Sequence, residues 1–273
     1  MQIPIVNRFI VFNFSHLDGI EDPILRAKVY SYITTECFHG KTTASRRFSD
    51  IDKITLRYLR KMEDPVIHDI AVSSGITSCD LLREIKAAGI QADYCISDKY
   101  SLYYSTGKRF TRIYDANKKF LYGYIFSLLA KKTDDVKLIG SKVLYYLLKI
   151  MSTPDNNYKK VLLLDGNAVM NINNGNFTFI EYDVLSSIIK DKFTYVRCMN
   201  LLNRYSWLGD DEICIALRNI KTSLKENGIM QIGKTEDGTG VNNVSIFKKT
   251  DDKFVLLEHI NAGSELIDII NLV

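Results

Sequence analysis

The chain has 273 residues, of which 46% are hydrophobic and 25% charged, with a net charge of +4. These proportions are those of a soluble globular protein. The length suits one large α/β domain, or one domain with a small accessory piece.

The N-terminal stretch "MQIPIVNRFIVFNFSHLDG" has one early arginine, a broken apolar run and no small-residue cleavage site, so a signal peptide is not expected. The apolar run "FLYGYIFSLLA" from Phe120 to Ala130 is well short of the ~20 residues needed to span a bilayer. Cys37, Cys79, Cys95, Cys198 and Cys214 are scattered, without a CxxC pair. They read as small buried hydrophobes in a reducing, cytoplasmic setting. Cys37 and His39 form a lone C-x-H, too little for zinc, and no metal is expected.

The first sixty-odd residues read mainly as helix, with Ile51, Ile54, Tyr58 and Leu59 at helical spacing. Arg46, Arg47, Lys53, Arg57, Arg60 and Lys61 form a basic excess diluted by Asp50, Asp52, Glu63 and Asp64. It reads as a solvated helix face, and nucleic acid is not the expected partner. Asp64-Pro65 then interrupts, because proline disfavours helix in the preceding residue. The expected division is a helical cap over residues 1–64 and an α/β domain over 65–273.

From Val66 the pattern alternates. "VIHDIAV" reads as a buried strand, and Thr77 to Ala88 as a helix stopped by Gly89. "ADYCISD", ending at Asp98, is a second strand, and "FTFIEYD" and "FTYVRCMNLL" are further ones. Asp211 to Asn227 reads as an amphipathic helix with Ile213, Ala216, Leu217, Ile220 and Leu224 on its stripe and Gly228 as the stop. "GIMQIGKTE" follows as a strand, and "NVSIFKKTDDKFVLLEHI" as a hairpin turning at Thr250-Asp251-Asp252. Strands alternating with helices imply a mostly parallel sheet covered on both faces, ending here in an antiparallel pair. Residues 100–160 are an insertion. Within it "RFTRIYDANKKFLYGYIF" reads as a hairpin and "VKLIGSKVLYYLLKIM" as a helix.

In such sheets ligands bind beyond the carboxyl ends of the strands, where strand order reverses. The first strand delivers Asp69, then Ala71, Ser73, Ser74 and Gly75, and small residues at 71, 73 and 75 let backbone amides approach a ligand. The second delivers Asp98 and Lys99, and Asp98 lies near the ~20-residue spacing of a ribose-binding carboxylate. The third delivers Asp183 and Val184, and the fourth Arg197, Asn200, Asn203, Arg204 and Tyr205. A G-x-G-x-x-G frame would fall on Ala71, Ser73 and Ile76, so a nicotinamide dinucleotide fits poorly. No Walker lysine follows a GxxxxG. S-adenosyl-L-methionine (SAM) has no phosphate and asks less of this loop.

"HDIAVSSG", "ISDKY", "EYDVL" and "VRCMNLLNRYSW", in that order, resemble the motifs of class I SAM-dependent methyltransferases. "ALRNIKTSLKENGIMQIGKTE" is similar to that family's helix, turn and fifth strand. The motif order is nearest to the methyltransferases that esterify chemotaxis receptors. Where those carry C-R-N, this chain has Cys198-Met199-Asn200 with Arg197 adjacent, and their receptor-docking β-subdomain is not recognisable in the usual place.

The resemblance implies a Rossmann-like α/β fold, with a seven-stranded, mostly parallel sheet, an antiparallel terminal hairpin, helices on both faces and a helical N-terminal segment. It implies a methyltransferase in which Asp69, Ala71, Ser73 and Gly75 cradle the methionine end of SAM. Asp98 then holds the ribose with Lys99 beside it, Asp183 and Val184 flank the adenine, and Asn200 and Leu201 lie near the sulfonium. Tyr205 and Arg204 are the candidates for a catalytic base, with Tyr100 and His68 behind them. His68, inside a strand, reads first as a buried structural histidine. The acceptor is a small molecule or a protein side chain, and residues 100–160, rich in tyrosine, are the expected lid. A homo-oligomer or protein partner stays open. The alternative is a SAM-binding or empty Rossmann-like protein that no longer catalyses and serves a partner.

Overall fold

The computed structural model describes residues 43–106, 110–115, 117–125, 128–131, 139–150, 158–204 and 208–273. These fall into two compact units, one spanning 100–166 and the other combining 44–99 with 167–273. The expected helices before residue 43 lie outside the described residues.

The larger unit opens with helix α1 (Ser49–Leu59). Strand β1 (Val66–Ile70), helix α2 (Ile76–Ala87) and strand β2 (Asp93–Asp98) follow. Helix α2 ends on a backbone motif that its sequence requires. Gly89 sits at φ 67°, Gly89 N–H donates to the Lys86 carbonyl and Ile90 N–H to the Ile85 carbonyl. Only a residue without a Cβ takes that left-handed turn freely.

After β2 the chain enters the smaller unit, whose strands are β3 (Leu102–Thr106), β4 (Phe110–Tyr114), β5 (Phe120–Ile125) and β6 (Leu128–Lys131). Helix α3 (Ile139–Ile150) and strand β7 (Lys159–Leu162) complete it. The five strands form one antiparallel sheet in the order β6-β5-β4-β3-β7. The expected hairpin around Asp115 is the β4–β5 pair, and the expected helix is α3. The other strands of this sheet were not read from sequence. Tyr114, Phe120 and Leu148 pack together with Tyr104 and Tyr158 against them. Part of the tyrosine richness of this segment is therefore core.

The larger unit resumes with α4 (Gly166–Asn173), β8 (Thr178–Glu181), β9 (Phe193–Met199) and α5 (Asp210–Ser223). It ends with β10 (Leu224–Thr235), β11 (Asn242–Thr250), β12 (Lys253–Ile260) and α6 (Ile267–Ile270). Helix α5 stops at Ser223, short of the expected Asn227. The Lys249 ammonium reaches the Lys221 and Leu224 carbonyls (3.0 and 2.8 Å) and supplies donors that a longer helix would have provided. The expected turn at Asp251-Asp252 is present, with both residues at positive φ (50° and 59°), as a tight hairpin demands.

The seven-stranded sheet runs β12-β11-β10-β9-β1-β2-β8. Strands β8, β2, β1, β9 and β10 are parallel, and the β11–β12 hairpin extends the edge in antiparallel fashion. The fold is thus α/β and Rossmann-like. One face carries an apolar core in which Ile213, Ala216, Leu217 and Ile220 of α5 meet Val196, Cys198, Met230 and Ile232. Among the described residues no helix is long and apolar enough to cross a membrane.

Candidate functional site

Strand order reverses between β1 and β9, so the crevice of this sheet opens beyond their carboxyl ends. The loop from β1 to α2 borders it. Ala71, Ser73 and Gly75 all sit in the left-handed region, at φ 57°, 58° and 79°. A side chain at such φ costs of order 1 kcal/mol or more, so two non-glycine residues there are held by their surroundings. The holding bonds are visible. Val72 N–H donates to the Ser97 carbonyl (3.0 Å), and Ser73 N–H to Asp98 Oδ2 (2.8 Å). The expected loop residues and Asp98 are therefore brought together, with Asp98 buried at the end of β2.

Lys99 Nζ pairs with Asp183 Oδ2 at 2.8 Å. Asp183 Oδ1 also accepts from Leu185 N–H at 3.1 Å. Burial alone would raise the Asp183 carboxyl, but Lys99 and the Leu185 N–H hold it below its ordinary value. Val184 is buried in the apolar core, and its carbonyl accepts from Asn219.

Asn200 follows β9 at φ 58°. Its side chain is turned to the end of β10, where Oδ1 accepts from Thr235 N–H (2.7 Å) and Nδ2 donates to Thr235 Oγ1 (3.3 Å). Leu201 packs on the apolar core. Arg204 is a surface cation that pairs with Asp268 and, at 3.6 Å, with Asp210. Its hydrogen bond to Asp268 raises its already high value further, against the task of a general base. Tyr205 lies outside the described residues. His68 is fully buried, stacked on Phe193 at 4.3 Å and paired through Nε2 with Ser97 Oγ at 2.8 Å. Burial pushes its imidazole down to about 3, so it is a neutral structural ring.

Asp69 is committed elsewhere than to the crevice. Arg197 of β9, its direct cross-strand partner, grips it with two bonds, Nε to Oδ1 at 3.0 Å and Nη2 to Oδ2 at 2.7 Å. Ser78 Oγ and Tyr94 OH add donors at 2.7 and 3.0 Å. The third nitrogen of Arg197 reaches Asp52 Oδ1 of α1 at 2.8 Å.

A basic residue missed by sequence reading stands at the carboxyl ends of the strands. The sequence places Arg47 on a solvated helix face, but α1 begins only at Ser49, and residues 45–48 are a turn segment leading into it, called the strap below. Ser45 Oγ bonds both Asp80 oxygens (3.2 and 3.1 Å), and Arg46 N–H donates to Asp80 Oδ2 (2.6 Å). Arg47 Nε donates to Thr235 Oγ1 (3.1 Å), and the Arg47 carbonyl accepts from Asn242 Nδ2 (3.0 Å). Phe48 packs with Met199 and Val244. Desolvation lowers the Arg47 guanidinium from its ordinary value, opposed by Asp237. The available signal was "SRRF" directly ahead of an amphipathic helix, a placement that puts an arginine at a helix entry.

Among the described residues no cluster of ligating side chains suits a metal. No family model matches the sequence, and no curated protein matches it. Several solved structures are similar in fold. One is assigned as a SAM-dependent methyltransferase from Methanococcus maripaludis, with TM-score 0.35, 14% identity, and coverage of 69% of this chain and 57% of that one. Another is the CMeT domain of the citrinin polyketide synthase, with TM-score 0.41, 10% identity, and coverage of 84% and 44%. A third is the 1,6-didemethyltoxoflavin-N1-methyltransferase of Burkholderia thailandensis, with TM-score 0.41, 10% identity and coverage of 84% and 67%. It holds 1,6-didemethyltoxoflavin and S-adenosylhomocysteine. The chain spans about half the length of the first two.

Proposed function

We propose that this chain binds SAM beyond the carboxyl ends of β1, β2 and β9 and transfers its methyl group to a small-molecule or protein acceptor. One observation carries the reading. Positions 71, 73 and 75 keep the left-handed backbone of a ligand-cradling loop although two of them are not glycine, and that loop is tied to the buried Asp98. A plain strand-to-helix turn has no need of such a backbone.

The residues fit the adenosine half of the ligand. In this reading Asp98, tied to the loop through Ser73 N–H, accepts from the ribose hydroxyls, and the adenine lies toward the Lys99–Asp183 pair at the neighbouring strand end. At the methionine half, Asp69 already receives four hydrogen bonds and is not available to an ammonium. Arg47 on the strap takes the carboxylate in this reading, and Asn200 stands beside it. SAM supplies an activated methyl for in-line displacement, so the protein's task is alignment and exclusion of water.

The commitment of Asp69 favours a second reading, a SAM-binding protein retired from catalysis. Calorimetry with S-adenosylhomocysteine (SAH) tests both. Wild type should bind, and Asp98→Ala should bind at least tenfold more weakly, with folding checked by thermal melting. Equal binding by the two would remove Asp98 from the site. No binding by wild type would end the SAM reading. Methyl transfer from labelled SAM to any acceptor decides between enzyme and retired homologue.

A further inference from the structure

One cluster in the larger unit joins the strap to the sheet and has no part in the proposed chemistry. Asp69, Arg197 and Gln231 are direct cross-strand neighbours on β1, β9 and β10, forming a polar row across one face. Helix α1 lies on that row. Its Asp52 meets Arg197, and its Thr55 Oγ1 donates to Gln231 Oε1 at 2.7 Å. The Arg197 guanidinium also lies 5.6 Å from the centre of the Phe48 ring, in the strap itself. Arg197 therefore touches β1, α1 and the strap at once.

We propose that Asp52 is a positioning residue that seats α1 and the strap on the sheet through Arg197, and that this seat tightens when Asp52 takes a proton. The charge count gives the reason. Arg197, Asp52 and Asp69 have side-chain exposures of only 1%, 3% and 5%. With both acids ionised the cluster is one negative charge in excess, in a place where charge is poorly solvated. Asp69 receives four hydrogen bonds and Asp52 one, so a proton entering the cluster settles on Asp52. The surroundings act in the same direction. Arg197 is the cation facing Asp52, while Asp69 on β1 and Asp80 and Glu84 on α2 present like charge. Tyr94 on β2 is neutral and points at Asp69.

The direction of the pH effect follows. Burial first, then the neighbouring acids, push the seated Asp52 carboxyl up to about 7 from 3.8, against the pull of Arg197. A seated group that holds its proton more tightly than a solvated one favours seating at low pH and opposes it as pH rises through about 7. The strap thus sits firmly below neutrality and loosens above it. If the proposed function is correct, exchange of ligand beneath the strap quickens over the same range.

Hydrogen exchange of the α1 amides, compared with β10 in the same sample and corrected for intrinsic chemistry, tests the seat without any ligand. Wild-type protection of α1 should fall between pH 6 and pH 8, by at most about tenfold per pH unit for one proton. Asp52→Asn should abolish that slope and leave α1 at least as protected as wild type at pH 8. Thr55→Val should lower α1 protection at every pH and keep the slope. A flat wild-type profile, or a slope retained by Asp52→Asn, would overturn the proposal. SAH titrations of the same samples separate the two ideas. Loss of all SAH binding with the Asp52-dependent slope intact would refute the proposed function and leave the seat standing.

Discussion

The two faces of the seven-stranded sheet are held by different forces. Under α5 the contact is mainly apolar, with Ile213, Leu217 and Ile220 all inaccessible to solvent. Under α1 the contact mixes Ile51 and Leu59 with Asp52 and Thr55, which are as buried as their apolar neighbours and meet Arg197 and Gln231. Apolar packing is non-directional and forgiving. A buried polar row fixes one helix position, because each group left unpaired costs about 1–3 kcal/mol. The face that borders the strap is the specific one, and the face opposite is the adhesive one.

The largest expected effect falls on the polar face. Arg197→Met leaves two buried carboxylates without their cation and should destabilise by about 3–5 kcal/mol. Leu217→Ala on the apolar face should cost about 2–5 kcal/mol by cavity formation. Urea unfolding of both measures the contrast. A loss below 1 kcal/mol for Arg197→Met would mean that the row anchors nothing.

A subtler contrast lies in acid. His68 and Asp52, buried on the two faces, titrate in opposite senses. His68, on the apolar face, is depressed from 6.5 to about 3, so its contribution is present above 6.5 and lost as pH falls toward 3. Asp52, on the polar face, is raised from 3.8 to about 7, so its contribution is present below 3.8 and lost as pH rises through 7. Between about 4 and 6.5 the two oppose each other. Asp52→Asn should therefore steepen the acid loss of stability relative to wild type, by up to about 1.4 kcal/mol per pH unit. Unfolding midpoints at pH 4.5 and 6.5 read this directly, and identical slopes in the two proteins would sink it.

The smallest effect is expected in the loop beyond β1. Ala71→Gly relieves a side chain held at φ 57° and should gain a few tenths to about 1 kcal/mol. A loss of stability would mean that the contact of Ala71 with the apolar core outweighs the backbone strain.

The sequence made the apolar face legible. Ile213, Ala216, Leu217 and Ile220 repeat at helical spacing, and all four are buried. The β11–β12 turn was legible because Asp251-Asp252 is turn chemistry. The polar face was not. Ile54 and Tyr58 were read as part of the α1 stripe, but the structure buries Asp52 and Thr55 in preference. Periodicity marks apolar residues, and a carboxylate is buried only when a partner distant in sequence neutralises it. The same limit hid Arg47, whose acceptor Thr235 lies 188 positions away. At the site, the order Asp69, Asp98, Asp183, Asn200 was readable, but spacing does not reveal which carboxylate is already engaged.

The span of these long-range partners has a consequence for assembly. Strands β11 and β12 are joined by a two-residue turn, so their pairing closes a short loop. The bonds from Arg197 to Asp69 and to Asp52 bridge 128 and 145 positions. The entropy of loop closure grows with the logarithm of that span, and non-local contacts reward the chain only after it is met. The meander at the sheet's edge needs only its own neighbourhood, whereas the guanidinium bridge exists only in a molecule whose distant halves have already found each other. The bridge is in that sense a checkpoint on topology, satisfied only once β1, β9 and α1 have come together.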